Sequence, residues 1–105
     1  MRLVVPICLF AAVMASAQSK PDPAQGNEIF DEQCSSCHRA DSFEKKVGPG
    51  LKFLFSKEKL DSNGKPVNNA TVLEKINIGG KGMPAFKDSL REQDKQNLLA
   101  YLNTI

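Results

Sequence analysis

Cys34-Ser35-Ser36-Cys37-His38 places two cysteines a helical turn apart with a histidine directly after the second. This C-x-x-C-H spacing suits covalent attachment of a c-type haem. Each thiol adds to one of the two vinyl groups on the porphyrin edge, and the neighbouring imidazole is carried under the iron as its proximal ligand. The same five residues admit other chemistry, because a C-x-x-C pair also serves as a redox dithiol, as half of a zinc site or as a plain disulfide. With three cysteines and one histidine in the whole chain, a closed four-ligand zinc site would have to recruit carboxylates. A thioredoxin-like dithiol would follow a strand within a strand-rich alternating pattern, and none surrounds Cys34. The rest of the chain has to choose between these readings.

Upstream, Met1-Arg2 is followed by an apolar run from Leu3 to Met14 and then by Ala15-Ser16-Ala17. A short basic start, a run of about a dozen apolar residues where a membrane span needs about twenty, and an A-x-A site read as a secretory leader cut after Ala17. Cys8 lies inside this leader, without the small residues that precede a lipid-attachment cysteine. The chain therefore divides into a cleaved signal peptide over 1–17, a proline-containing flexible tether over 18–23 and a single domain over 24–105. After cleavage only about a third of the residues are hydrophobic, which is thin material for a core in so small a domain. Two remaining cysteines cannot build a disulfide framework, whereas a covalently held porphyrin supplies a large apolar surface to pack on. The composition leans toward the cofactor.

Charge excludes one class of partner. Lysines and arginines number 14 against 12 acids for a net charge of +2, and they are interspersed with acids, without the stripe or aromatic interleaving that a nucleic-acid surface shows.

Taken in order, the pattern is helical from Ala24 to Cys37, with Ile29, Phe30, Cys34 and Cys37 on one stripe. Gly26 inside it costs about 1 kcal/mol relative to alanine, and predicts a close approach to the last helix. Arg39 to Lys46 reads as a loop with Phe43 as its apolar anchor. In Val47-Gly48-Pro49-Gly50-Leu51 the glycines let the backbone come close to a neighbour, and Pro49 offers a carbonyl. A neutral histidine ligand needs such an acceptor for its other ring nitrogen, although the same residues also suit an ordinary turn. Leu51, Phe53, Leu54 and Phe55 form an apolar cluster able to line a pocket or fill a core. Asn63-Gly64 predicts a small hairpin, and Asn68 or Asn69 caps a helix whose face is Val72, Leu73 and Ile76.

Gly79-Gly80-Lys81-Gly82-Met83-Pro84-Ala85-Phe86 is too rich in glycine and proline for a helix or a central strand. Met83 is the one methionine outside the leader. Methionine commonly fills cores, but a thioether on an open loop can also ligate iron, and opposite histidine it raises a haem's potential. The last helix is expected over Leu90–Asn103, opened by a capping box at Ser89-Leu90-Arg91-Glu92. Leu98, Leu99, Tyr101, Leu102 and Ile105 form its buried side, and Gln93 to Asn97 are wholly polar.

In this order, Cys34-Ser35-Ser36-Cys37-His38, Gly48-Pro49-Gly50-Leu51, Gly82-Met83-Pro84-Ala85-Phe86 and Leu98-Leu99-Ala100-Tyr101-Leu102 resemble the class I monohaem cytochromes c of the bacterial secreted type. The likeness runs from about Ala24 to the end. It implies an all-α cytochrome c fold, a few helices wrapped around one covalent haem c, with room for a small hairpin near Asn63-Gly64. It also implies thioethers at Cys34 and Cys37, iron ligands His38 and Met83, a Pro49 carbonyl bonded to His38, Leu51 beside the cofactor, and crossed first and last helices. Lys95 departs from it, standing where an apolar residue is expected. The implied function is that of a soluble electron carrier rather than an enzyme, its iron cycling between Fe(II) and Fe(III) with both axial positions filled. A monomer in the periplasm with no membrane span after cleavage is expected. It would dock transiently with redox donor and acceptor proteins through lysines such as Lys45, Lys46, Lys52, Lys81 and Lys87.

Overall fold

Asp22 starts the first helix. The computed structural model describes residues 2–4 and 19–105; Cys8 and the cleavage point expected after Ala17 lie outside them. The Asp22 carboxylate accepts the backbone N–H of Ala24 at 2.9 Å and of Gln25 at 3.5 Å. Pro23 fills the first helical position, where its missing donor costs nothing. Helix α1 (Pro23–Gln33) thus begins inside the stretch read as a tether. It also ends before the cysteines. The Phe30 carbonyl takes both the Cys34 N–H at 2.8 Å and the Ser35 N–H at 2.9 Å, so the ladder slips out of register and Cys34 to Cys37 continue as turns.

Two further helices follow, α2 (Asn69–Ile78) and α3 (Glu92–Leu102), with a single 3-10 turn at Leu54–Ser56 between α1 and α2. Asn68 caps α2: its side chain accepts the Thr71 N–H at 2.9 Å while the Thr71 hydroxyl accepts the Asn68 N–H at 3.1 Å. The hairpin expected at Asn63-Gly64 is a short excursion closed by a bridge between Lys59 and Pro66, with Gly64 at φ 68. No strand longer than an isolated bridge occurs among the described residues, and the fold is all-α.

Helix α1 crosses α3 at Gly26. A Cβ there would stand 1.9 Å from the Asn97 carbonyl oxygen and 2.8 Å from Tyr101 Cβ, so only glycine permits this approach. The Asn97 side chain fastens the same crossing by accepting the Asp22 N–H at 2.9 Å. Phe30 and Tyr101 meet with ring centroids 5.5 Å apart, and Phe30 and Leu98 are both buried beside them. A double-mutant cycle on Phe30 and Tyr101 is expected to give a coupling of about 0.5–1.5 kcal/mol. Coupling indistinguishable from zero would sink the assignment of this contact as the centre of the crossing.

The core draws on all three helices together with Leu54 and Phe86 from the connections. One expectation about a side chain is corrected: Phe43, read as the apolar anchor of its loop, is 66% exposed. It meets Phe53, itself 53% exposed, with tilted rings 5.9 Å apart under the Lys52 ammonium. Phe53 also has positive φ, 57, which turns the chain so that Leu54 rather than its neighbour enters the core. Helix α3 starts two residues later than the expected boundary, capped by Arg91, whose N–H donates to the Asp94 carboxylate at 3.3 Å. Within its supposedly polar first half, Lys95 and Asn97 are each only 2% exposed.

Candidate functional site

The turns after α1 gather Cys34, Cys37 and His38. Both the Cys37 and the His38 N–H groups donate to the Cys34 carbonyl, at 3.1 and 2.9 Å, so the two thiols and the imidazole leave one turn of backbone. Both cysteines are free and half-buried. Burial, reinforced by the negative charge that Cys37 would carry, pushes the Cys34 thiol up to about 11. A redox dithiol needs its attacking thiol shifted the other way, toward the thiolate, so the local physics disfavours that reading. No cluster of three or more histidine, cysteine and acidic side chains suited to a metal occurs among the described residues, which removes the zinc reading there.

Val47 to Leu51 wrap the histidine. His38 Nδ1 lies 2.8 Å from the Pro49 carbonyl oxygen. A carbonyl only accepts, so Nδ1 is the donor in this contact, and in the neutral imidazole Nε2 is then the nitrogen with a lone pair for a metal. The loop is pinned to the cysteine turn by the Gly48 N–H, which donates to the Cys37 carbonyl at 2.8 Å, and by the Leu51 N–H, which donates to the Arg39 carbonyl at 2.7 Å. Gly48 lies so close to the ring that a Cβ on it would stand 2.5 Å from His38 Cε1. The imidazole is therefore held in orientation by backbone alone, in the way an outer hydrogen bond orients a metal-bound histidine. The Lys46 ammonium closes the same loop by donating to the Ser35 carbonyl at 3.0 Å.

Met83 comes from a different part of the chain. It pairs with Gly80 through two backbone hydrogen bonds of 3.0 and 2.9 Å, and positive φ at Gly79, Gly80 and Gly82 makes the tight loop possible. Its half-buried side chain packs against the same core that Cys34 and Leu51 touch. Cys34, Cys37, His38, Pro49 and Leu51 are thus joined by hydrogen bonds into one unit, whereas Met83 shares only the core with them. The close approach expected of the glycines flanking Pro49 is made by Gly48 to the imidazole; missed in the sequence was the bond of Lys46 to Ser35 that ties loop to turn.

The residues fit a haem. Two thiols and an imidazole with a free Nε2 leave one turn, a thioether stands on a separate loop, and Ile29, Leu51, Phe55, Leu73 and Met83 remain half-open around a core of eight buried apolar side chains. Such half-covered apolar side chains can pack against the flat face of a porphyrin.

Comparison with known proteins bears on the same region. Residues 21–102 match the family model described as cytochrome C oxidase, cbb3-type, subunit III. A cytochrome c6 of Nostoc sp. is 29% identical over 91% of this chain and 82% of its own length. A cytochrome c6 of Synechocystis sp. is 30% identical over 77% of this chain and 63% of its own. The crystal structure of cytochrome c6 from the diatom Phaeodactylum tricornutum superposes with a TM-score of 0.62 over 79% of this chain and 92% of that one, at 22% identity, and so shares the fold.

Proposed function

Since the chain belongs to the cytochrome c family as a class I monohaem member, we propose that Cys34 and Cys37 carry the thioether bonds of its haem and that His38 and Met83 hold the iron from opposite faces. The protein is an electron carrier with one covalently attached haem c, and not an enzyme. The bound haem supplies a one-electron Fe(II)/Fe(III) couple. The single observation that carries the residue assignment is the Nδ1–H donation of His38 to the Pro49 carbonyl at 2.8 Å, which leaves Nε2 free to bind a metal and fixes the ring that presents it. Met83 completes the set as the one thioether outside the expected leader, on a loop packed to the same core.

What the chain itself does is hold and shield. The Gly48–Leu51 backbone keeps the imidazole from rotating, and the half-buried Leu51 and Phe55 offer apolar surface for the haem to pack on. The Gly80–Met83 backbone pairing fixes the loop that would present the sulfur. With His38 and Met83 both holding the iron, no position on it would be left for a substrate.

The leader-like residues 1–17 support secretion, with function in the periplasm as a secreted bacterial cytochrome c. No helix among the described residues is long and apolar enough to cross a membrane. Redox proteins are the partners. Exposed Lys45, Lys81 and Lys87 supply a cationic surface for brief, salt-sensitive docking.

The deciding experiment is expression with the leader in a host that attaches haem c. Haem retained through acid-acetone extraction, a sulfur-to-iron charge-transfer band in the oxidised protein and little carbon monoxide binding in the reduced protein are expected. Ready carbon monoxide binding by the native reduced protein would instead indicate an open iron and overturn Met83 as its ligand.

A further inference from the structure

Lys95 lies on α3 at 2% exposure, and burying an ammonium costs several kcal/mol unless hydrogen bonds and charge compensate. The helix does not need it: an apolar residue would fill the position and pack on Leu98 and Leu99 beside it. What the amine reaches accounts for its burial. Lys95 Nζ donates to the Lys87 carbonyl at 2.9 Å and pairs with the Glu92 carboxylate at 3.2 Å. Glu92 is largely exposed, its side chain 74% accessible, so the bond to Lys87 is the better shielded of the two.

Lys87 belongs to the connection that carries Met83. On one side its own N–H donates to the Asn77 carbonyl on α2 at 3.3 Å, next to the Phe86 N–H bond to Ile76 at 2.9 Å. On the other side its carbonyl receives Lys95 from α3. The segment downstream of Met83 is therefore clamped between two helices at one residue. Helix α3 in turn is locked across α1 at Gly26, and α1 leads into Cys34, Cys37 and His38. A continuous set of contacts joins the proposed proximal side to the Met83 loop, and Lys95 is its last link.

We infer that Lys95 is a positioning residue for Met83, holding the thioether-bearing loop closed against displacement of the sulfur by another ligand. The inference rests on Met83 as an iron ligand. Its test uses imidazole as a competitor for the distal position of the oxidised holoprotein, followed by loss of the sulfur-to-iron charge-transfer band, with helical circular dichroism recorded alongside.

Lys95→Met keeps the length and the burial but removes the amine, and is expected to bind imidazole about tenfold more tightly than the unsubstituted protein, about 1.4 kcal/mol of lost loop closure, with native helicity. Lys95→Arg, which restores donors to the carbonyl, is expected to return the affinity to within about twofold of the original. Equal affinity for the Lys95→Met and unsubstituted proteins overturns the inference, because a role confined to global stability would lower the denaturation midpoint without moving ligand exchange under native conditions. Should Lys95→Met not mature to holoprotein, Lys95→Gln carries the same test; about threefold tighter imidazole binding supports the clamp and unchanged binding overturns it. Failure of the underlying ligand assignment looks different: the unsubstituted protein itself would show no charge-transfer band for imidazole to remove.

Discussion

Replacing Met83 with alanine is expected to lower the reduction potential by a few tenths of a volt, a substantial part of the roughly 0.8 V range that axial ligands span, and to abolish the sulfur-to-iron charge-transfer band. The direction follows from the chemistry of the donor. A thioether is a weak donor that favours the ferrous state, and once it is gone water or another stronger donor enters and favours the ferric one. The substitution would leave the loop itself intact, because the Gly80 pairing uses only backbone atoms and the positive φ values nearest the sulfur belong to Gly79, Gly80, Lys81 and Gly82 rather than to Met83. The variant should also open the iron, so that the reduced protein binds carbon monoxide readily. Cyclic voltammetry and optical spectra of the holoprotein provide the measurement. A potential unchanged from the original would refute Met83 as ligand.

Gly26→Ala is expected to destabilise the holoprotein by more than about 3 kcal/mol, beyond the 1–3 kcal/mol usual for an inserted methyl because the obstructing atoms are backbone. The new Cβ would lie 1.9 Å from the Asn97 carbonyl oxygen and 2.6 Å from its carbon. Neither can move unless α3 moves as a whole, and α3 is tied to α1 by the Asn97–Asp22 bond as well. Helix propensity alone makes the opposite forecast, since alanine is about 1 kcal/mol better than glycine inside a helix. Chemical denaturation followed by circular dichroism separates the two by sign. A loss this large would be a sizeable fraction of the roughly 5–15 kcal/mol that typically separates folded from unfolded domains, and poor recovery of holoprotein would accompany it. A stabilised Gly26→Ala protein would mean that the helices do not cross at this point.

Much of the fold was legible in the sequence because it depends on short-range signals. Capping residues, helical spacing of apolar side chains and the Asn63-Gly64 turn act over a few residues, and α2, the hairpin and the irregular Met83 loop appeared close to where they were expected. The contact predicted for Gly26 also holds, since a glycine amid helix formers signals a close neighbour. Where the expectation slipped, a competing local bond decided. Pro23 and the Asp22 cap drew α1 back into the tether, and the doubly occupied Phe30 carbonyl ended it before the cysteines. Arg91 with Asp94 set the start of α3 instead of Ser89.

By itself the sequence displayed the candidate chemistry: two thiols and an imidazole at C-x-x-C-H spacing, a thioether on a glycine-rich loop, and a composition thin in apolar residues downstream of the expected leader. These properties belong to residue types and their separation along the chain, and no tertiary contact is needed to know them. Only the tertiary structure decided orientation and burial. That the Val47–Leu51 loop is bonded back onto the cysteine turn, that Phe43 and Phe53 face solvent, and that a lysine in a polar-looking stretch is buried to clamp the Met83 loop depend on groups well separated along the chain or on the packing of three helices. Hydropathy could not anticipate the last of these, because an ammonium is buried only where carbonyl and carboxylate oxygens from other turns converge on it, and that convergence exists only in the folded chain.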